Sequence, residues 1–309
     1  MDLSIIIPCH TEGILLNESI NSVLAQKWLP DNYEILLIED HVDKETFYTL
    51  EKFRNTSNVR ILKNRTQRGA AGSRNLGLEN SDGKWVAFLD ADDFWSKDSV
   101  WIRWQAIQNH RDAQWICGDF SRIDQAGHVF LESFYLSRPV QPYRKAYNNC
   151  QPLRIDSPIK AVLFDGDPWT GCVMVQRKAI FNVGGFDPSL ETSEDTHLWI
   201  KLAKSYSMLF VPKILAFYRK RAGSLTNRKQ LPRENTRKML SMLLKDESFN
   251  EHRNDIKKRI NQCIIEDMWH CRHNKIFHKA LQLNIMALKY SPGRFSLWRN
   301  LLGAILKRA

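Results

Sequence analysis

"WVAFLDADDFW", residues 85–95, is the stretch whose reading decides the fold. An apolar run from Trp85 to Leu89 passes directly into Asp90, Asp92 and Asp93, then returns to aromatics. Neighbouring carboxylates repel, and an unpaired buried one is costly. The run therefore reads as an interior strand whose end opens on something positive or wet. Asp90 and Asp92 flank one residue, and alternate side chains of an extended chain share a side. Two carboxylates aimed together make a hard-oxygen set suited to Mg²⁺ or Mn²⁺, which completes its shell with water and substrate phosphates. An acidic surface turn is the plainer alternative.

The segments before it repeat the pattern. "LSIIIPC" (3–9), "YEILLIED" (33–40) and "VRILKN" (59–64) read as strands. Helical patterns alternate with them at 15–28, 44–55 and 69–81. Such alternation predicts an α/β chain with a doubly wound, mostly parallel, Rossmann-like sheet. Ligands of such sheets bind beyond the carboxyl ends of the strands. Each strand here ends on polar or turn residues: Pro8–His10, Glu39–Asp40, Asn64–Arg68 and Asp90–Asp93. Arg65, Arg68 and Arg74 lie among glycines in "RTQRGAAGSRNLG" (65–77), and guanidinium forks suit phosphate and carbonyl oxygens. Gly69 and Gly72 alone make a weak phosphate loop. The chain has no GxGxxG and no P-loop, which argues against a dinucleotide oxidoreductase or an ordinary ATPase.

Beyond Trp95 the pattern changes. A helix is expected over 101–109, strands over 115–124 and 128–136, and a long loop or lid over 137–158. "CVMVQRKAIFNVGGF" (172–186) reads as strand, short helix and Gly-Gly turn; 193–206 reads as a helix and 209–221 as a closing strand. From about residue 223 the chain reads as helical and basic, which predicts a catalytic domain over 1–222 and a C-terminal region over 223–309. Within the first, the pattern changes at about residue 95. "KALQLNIMALKYSPG" (279–293) bears a faint similarity to helical-hairpin arrays.

The formal net charge is +11, unevenly placed. From Lys213 onward there are 22 Lys and Arg against 7 Asp and Glu, whereas the rest holds 23 against 27. A basic end implies an anionic partner such as membrane headgroups, a phosphorylated substrate or nucleic acid. The final "RFSLWRNLLGAILKRA" (294–309) reads as a basic amphipathic helix, either on an anionic membrane surface or docked on its own domain. No apolar run approaches the ~20 residues that span a bilayer. The acidic, weakly apolar "MDLSIIIPCH" is no signal peptide, so a cytoplasmic protein is expected. The six cysteines have no paired short spacing and are read as reduced and packed; the group Cys263, His270, Cys271 and His273 fits no standard zinc pattern.

Six motifs, "SIIIPCHTEG", "IED", "RGAAGSRNLG", "FLDADDFW", "GGFDPSLETSEDTHLWIKL" and "YRKRAGS", occur in an order and spacing that resemble the family 2 nucleotide-sugar glycosyltransferases. The likeness covers roughly residues 3–226 and implies the GT-A fold, with a nucleotide-binding half over about 1–95 and an acceptor-binding half over about 96–222. It further implies inverting transfer from a nucleotide-diphosphate sugar, UDP-sugar favoured, to a glycan or lipid-linked acceptor in lipopolysaccharide, capsule or exopolysaccharide synthesis. By that resemblance Asp92 and Asp90 hold Mn²⁺ or Mg²⁺, and Asp40 meets the nucleobase. Pro8, Cys9, His10 and Glu12 floor the base and ribose, with Arg68, Arg74, Asp90 and Ala91 near the nucleotide. Asp195 is the general base with Glu194 in reserve. Arg219 and Arg221 face the diphosphate, and Trp169, Thr170 and Trp199 line the acceptor.

The residues also allow plainer readings: Asp195 and Glu194 as dipole partners of a helix start, and Trp199 as packing. Two positions depart from the family pattern: Cys9-His10 replaces an aromatic followed by Asn, and Arg221 replaces a histidine able to join the metal. An arginine clamps a diphosphate directly but ligates no metal. Competing classes are a nucleotidyltransferase, which wants a glycine-rich loop and lysine near the first strand, a non-catalytic sugar- or lipid-binding relic, and a nucleic-acid binder. The last leaves four strand-end motifs to coincidence and has no recognised module, so nucleic acid is not an expected partner.

Overall fold

The computed structural model describes residues 1–137, 142–166, 168–221, 231–294 and 297–299, with the side chains of 231–233 excepted. The chain divides into two compact units, Met1–Ser224 and Leu225–Ala309.

In the first unit β1 (Leu3–Cys9), α1 (Leu15–Leu24), β2 (Tyr33–Glu39), α2 (Lys44–Phe53), β3 (Val59–Lys63), α3 (Gly69–Glu79) and β4 (Trp85–Phe88) follow in turn. Their strands pair in parallel in the order β3-β2-β1-β4. β1, β2 and β4 are almost wholly buried, as expected of parallel strands covered on both faces. Parallel pairing puts all four carboxyl ends on one edge. The edge is knitted by Asp40 N donating to Cys9 O, Asn64 N to Glu39 O and Leu89 N to Ile6 O.

The second half is mixed. β5 (Phe94–Trp95), α4 (Ser99–Asn109), β6 (Trp115–Ile123), β7 (Val129–Leu131), α5 (Tyr143–Asn149), β8 (Leu153–Ile155), β9 (Met174–Gln176), α6 (Arg177–Asn182), α7 (Glu194–Ser205) and β10 (Met208–Arg219) complete the unit. β9 runs antiparallel between β4 and β6, β10 is parallel to β6, and β5, β7 and β8 are short antiparallel additions. The strand expected over 128–136 shortens to three residues. The loop expected over 137–158 holds α5 and β8, although 138–141 lie outside the described residues.

Two glycines of α3 are steric necessities. A Cβ on Gly72 would lie 2.0 Å from the Gln67 carbonyl oxygen, and one on Gly77 2.5 Å from Ile6 Cγ2 in the core.

The second unit holds α8 (Leu231–Lys245), a 3₁₀ turn (Glu247–His252), α9 (Arg253–His273) and α10 (Phe277–Tyr290). Met239, Leu243, Phe249, Ile260, Ile264 and Ala287 are buried in it, and Arg237 pairs with Asp267. Of the helix expected over 294–309, residues 295–296 and 300–309 lie outside the described set. Among the described residues no helix is long and apolar enough to cross a membrane.

Gly77→Ala is expected to destabilise the first unit by about 1–3 kcal/mol through overpacking against Ile6; thermal or urea unfolding measures it.

Candidate active site

The site forms where β4 ends. Leu89 continues the buried strand, and the following residues turn out of the sheet: Asp93 N donates to Asp90 O at 3.1 Å. Asp90 and Asp92 remain partly exposed, whereas Ala91 and Asp93 turn inward at 2% and 1% exposure. Ala91 can therefore meet a ligand only through its backbone. The Asp93 Oδ1 accepts from Arg219 N at 2.6 Å, tying the turn to β10. Burial first, then Asp92 and Asp90, push its carboxyl well above the usual range.

Three guanidiniums answer the acids. Arg74 donates Nη2 to Asp90 Oδ1 at 2.7 Å and Nη1 to Glu194 Oε1 at 2.6 Å. Arg221 donates Nε to Asp92 Oδ2 at 2.5 Å and lies 3.6 Å from Glu12. Arg219 donates Nε to the Asp92 carbonyl, Nη1 to the Gln125 carbonyl and Nη2 to Glu18. With every guanidinium nitrogen committed and 3% exposure, Arg219 does not face a diphosphate as expected; it braces the turn. Arg74 likewise lies inside the protein against carboxylates, not open to a nucleotide. Arg221 is half-buried beside Asp92.

The other strand ends adjoin. His10 is exposed; its Nδ1 donates to the Asp40 carbonyl at 2.7 Å and its backbone N to Glu12 Oε2 at 2.6 Å. Glu12 is pushed up by burial, against the backbone bond from His10. The Cys9 side chain does not reach the site: it is fully buried and its thiol donates to the Ile7 carbonyl. Pro8 is half-buried and Arg68 exposed. Asp40 is 6% exposed, with Oδ2 accepting from Gly69 N and the Ser73 hydroxyl and Oδ1 facing His41. A carboxylate at the first amides of α3 satisfies orphan donors and the helix dipole, so a nucleobase role for Asp40 competes with this capping role.

Opposite, α7 begins with an adjacent carboxylate pair whose partners separate their behaviour. Glu194 points inward to Arg74; burial, with Asp195 beside it, pushes it up to about 7 against the pull of Arg74. Asp195 stays half-exposed, with Oδ2 accepting from the Thr170 hydroxyl at 2.8 Å and Oδ1 from Thr196 N at 2.7 Å. Thr170 is 1% exposed, so it orients Asp195 and does not line an acceptor. Trp199 has no exposed surface and packs on Phe88, Trp115 and Phe186, which removes it from the acceptor set. Trp169 is half-buried against Phe120 and Tyr218 and can still present ring surface. Its neighbour Asp167 lies outside the described residues.

A divalent cation fits this donor set. One oxygen of Asp90 and one of Asp92 are engaged by arginine, leaving the second of each as a donor. Among the described residues no three His, Cys, Asp or Glu side chains cluster to hold a metal unaided. A metal held here would take its remaining ligands from substrate and water, as Mg²⁺ does.

Residues 4–165 match the model of glycosyl transferase family 2, and the chain belongs to that family. It is 25% identical over 230 residues to the Escherichia coli UDP-Glc:alpha-D-GlcNAc-diphosphoundecaprenol beta-1,3-glucosyltransferase WfgD, covering 74% of this chain and 80% of WfgD. It is 29% identical over 101 residues to the Staphylococcus aureus poly(ribitol-phosphate) beta-N-acetylglucosaminyltransferase TarS, but spans only 18% of that protein's length. The structure of S. aureus TarS 1–349 in complex with UDP-GlcNAc matches with a TM-score of 0.68 at 16% identity, covering 95% of this chain and 82% of that one. The mannosyltransferase PcManGT from Pyrobaculum calidifontis, in complex with GDP-Man and Mn²⁺, matches at 0.58 and 15% identity, covering 99% and 86%.

Because the folded state raises Glu194 from 4.5 to about 7, it binds that proton more tightly than the unfolded chain. Glu194 is expected to contribute stability below pH 4.5 that is lost as pH rises to about 7. Thermal melting across that window should drift downward, and Glu194→Gln should flatten the drift.

Proposed function

We propose that this chain transfers a sugar from a nucleotide-diphosphate donor, UDP-sugar favoured, to a hydroxyl of a glycan or lipid-linked acceptor, with inversion. The observation that carries the reading is the pairing of a metal-suited Asp90–Asp92 edge with the outward, threonine-oriented Asp195. Inversion needs a base on the face opposite the leaving group, and a half-exposed carboxylate held at both oxygens is suited to take the acceptor hydroxyl's proton. Glu194, turned inward to Arg74, is the less accessible of the pair. Asp92 and Asp90 would hold Mn²⁺ or Mg²⁺, which offsets charge on the departing diphosphate. Arg221 adds a guanidinium there, and His10 and Arg68 are exposed for the nucleotide. WfgD, named for UDP-Glc and a lipid diphosphate acceptor, supports the donor and acceptor classes. PcManGT with Mn²⁺ supports the metal, and its GDP-Man makes guanosine donors the competing outcome. Synthesis of lipopolysaccharide, capsule or another surface glycan is the setting this reading fits.

The domain division proposed is a catalytic unit over 1–222 and a basic helical region over 223–309 that meets an anionic membrane surface from the cytoplasmic side. After Asp267 the chain has eight Lys and Arg and no Asp or Glu. Trp269, Phe277, Ile285, Met286 and Trp298 are exposed on that stretch. Cations interleaved with exposed aromatics suit a headgroup boundary.

A panel of nucleotide sugars with Mn²⁺, read by thermal shift, should give a donor hit. Asp92→Asn should lose the Mn²⁺-dependent shift; nucleotide affinity unchanged by EDTA would sink the metal assignment. Asp195→Asn should keep donor binding while transfer falls by about 10²–10⁴-fold, and near-normal turnover rules the base out. The intact chain should sediment with phosphatidylglycerol vesicles at low salt and not with phosphatidylcholine ones. A protein that stays in solution with both rejects the membrane role.

A further inference from the structure

Asp90 and Glu194 belong to segments that the chain itself does not hold together. Arg74 is 16 residues from Asp90 and 120 from Glu194, yet one guanidinium bonds both, at 2.7 and 2.6 Å. Its side chain is 5% exposed, beside carboxylates at 30% and 8%. The neighbouring Asn75 reinforces the join: its Nδ2 donates to the Phe186 carbonyl at 2.9 Å and its Oδ1 accepts from Phe186 N at 3.1 Å. Arg74 also lies over the Phe186 ring, 5.4 Å from its centroid. The dipeptide Arg74-Asn75 on α3 thus seizes the segment leading into α7 at two points.

We propose that Arg74 is a positioning residue, which sets the start of α7 against the end of β4 and so aligns the group attacking the sugar with the group holding the diphosphate. The proposal rests on the reading of Asp90 and Asp195 given above. A planar fork fixes two carboxylates in distance and orientation at once, which the single point charge of lysine cannot do. Glu194 is then the anchor through which Arg74 acts, and the outward aim of Asp195 follows from the inward hold on its neighbour. Misplacement of reacting groups by about 1 Å costs about 10²-fold in rate.

The test compares the full chain with Arg74→Met, Arg74→Lys and the double variant Arg74→Met/Glu194→Gln. The readouts are melting temperature, UDP affinity with Mn²⁺, and nucleoside diphosphate release from UDP-glucose, UDP-GlcNAc and GDP-mannose. Amide hydrogen exchange at Thr192–Thr196 is the fourth. Arg74→Met should lower turnover by about 10²-fold while UDP affinity changes by less than about threefold. Exchange at Thr192–Thr196 should accelerate more than about tenfold, with β2 unchanged. The double variant, relieved of a lone buried carboxylate, should regain melting temperature but neither turnover nor slow exchange, and Arg74→Lys should recover only part of the rate. Unchanged exchange at Thr192–Thr196 in Arg74→Met, wild-type turnover in that variant, or turnover regained by the double variant would each overturn the proposal. If the wild-type chain releases nothing from any donor, the donor reading fails and exchange alone decides Arg74. Normal turnover in Asp195→Asn beside a crippled Arg74→Met removes the base and keeps the fork.

Discussion

Charge balance at the carboxyl edge of the sheet is the constraint on which the rest depends. Among the described residues of this edge, Glu12, Glu18, Asp90, Asp92, Asp93 and Glu194 take Arg74, Arg219 and Arg221 as partners, and Asp195 adjoins them on a threonine. Seven carboxylates to three guanidiniums leave this described network short of positive charge, and largely buried acids cannot all stay ionised unaided. The protein answers with burial-raised carboxyls at Asp93, Asp92 and Glu194. The remaining deficit suits a cation arriving with a diphosphate.

Partners, not residue types, divide the labour. Glu194 and Asp195 are adjacent acids on one helix turn, but one is gripped by a buried arginine and the other, half-exposed, is held by the buried Thr170. Arg219 and Arg221 are likewise two residues apart on one chain end. The first is used up bracing the β4 turn, the second stays beside Asp92 at the open side.

The fold was legible where it rests on local periodicity. Four apolar runs alternating with helices specify parallel pairing because each crossover is short and β1, β2 and β4 are buried on both faces. β9 was not legible as antiparallel: a three-residue strand carries no pattern that fixes its direction, and its slot between β4 and β6 is a matter of packing. The commitment of Arg219 escaped for the same reason. The bonds that Arg219 makes to Asp93 and Glu18 lie 126 and 201 residues apart in sequence, beyond any window of spacing.

By itself the sequence determined that a mostly parallel sheet gathers acids at one edge, because alternation along a strand and polar residues at its end are local facts. Tertiary structure alone decided which of those acids face outward. "DADD" is four residues on paper, and only long-range arginine pairing distinguishes Asp90 and Asp92, open at the edge, from Asp93, closed beneath β10.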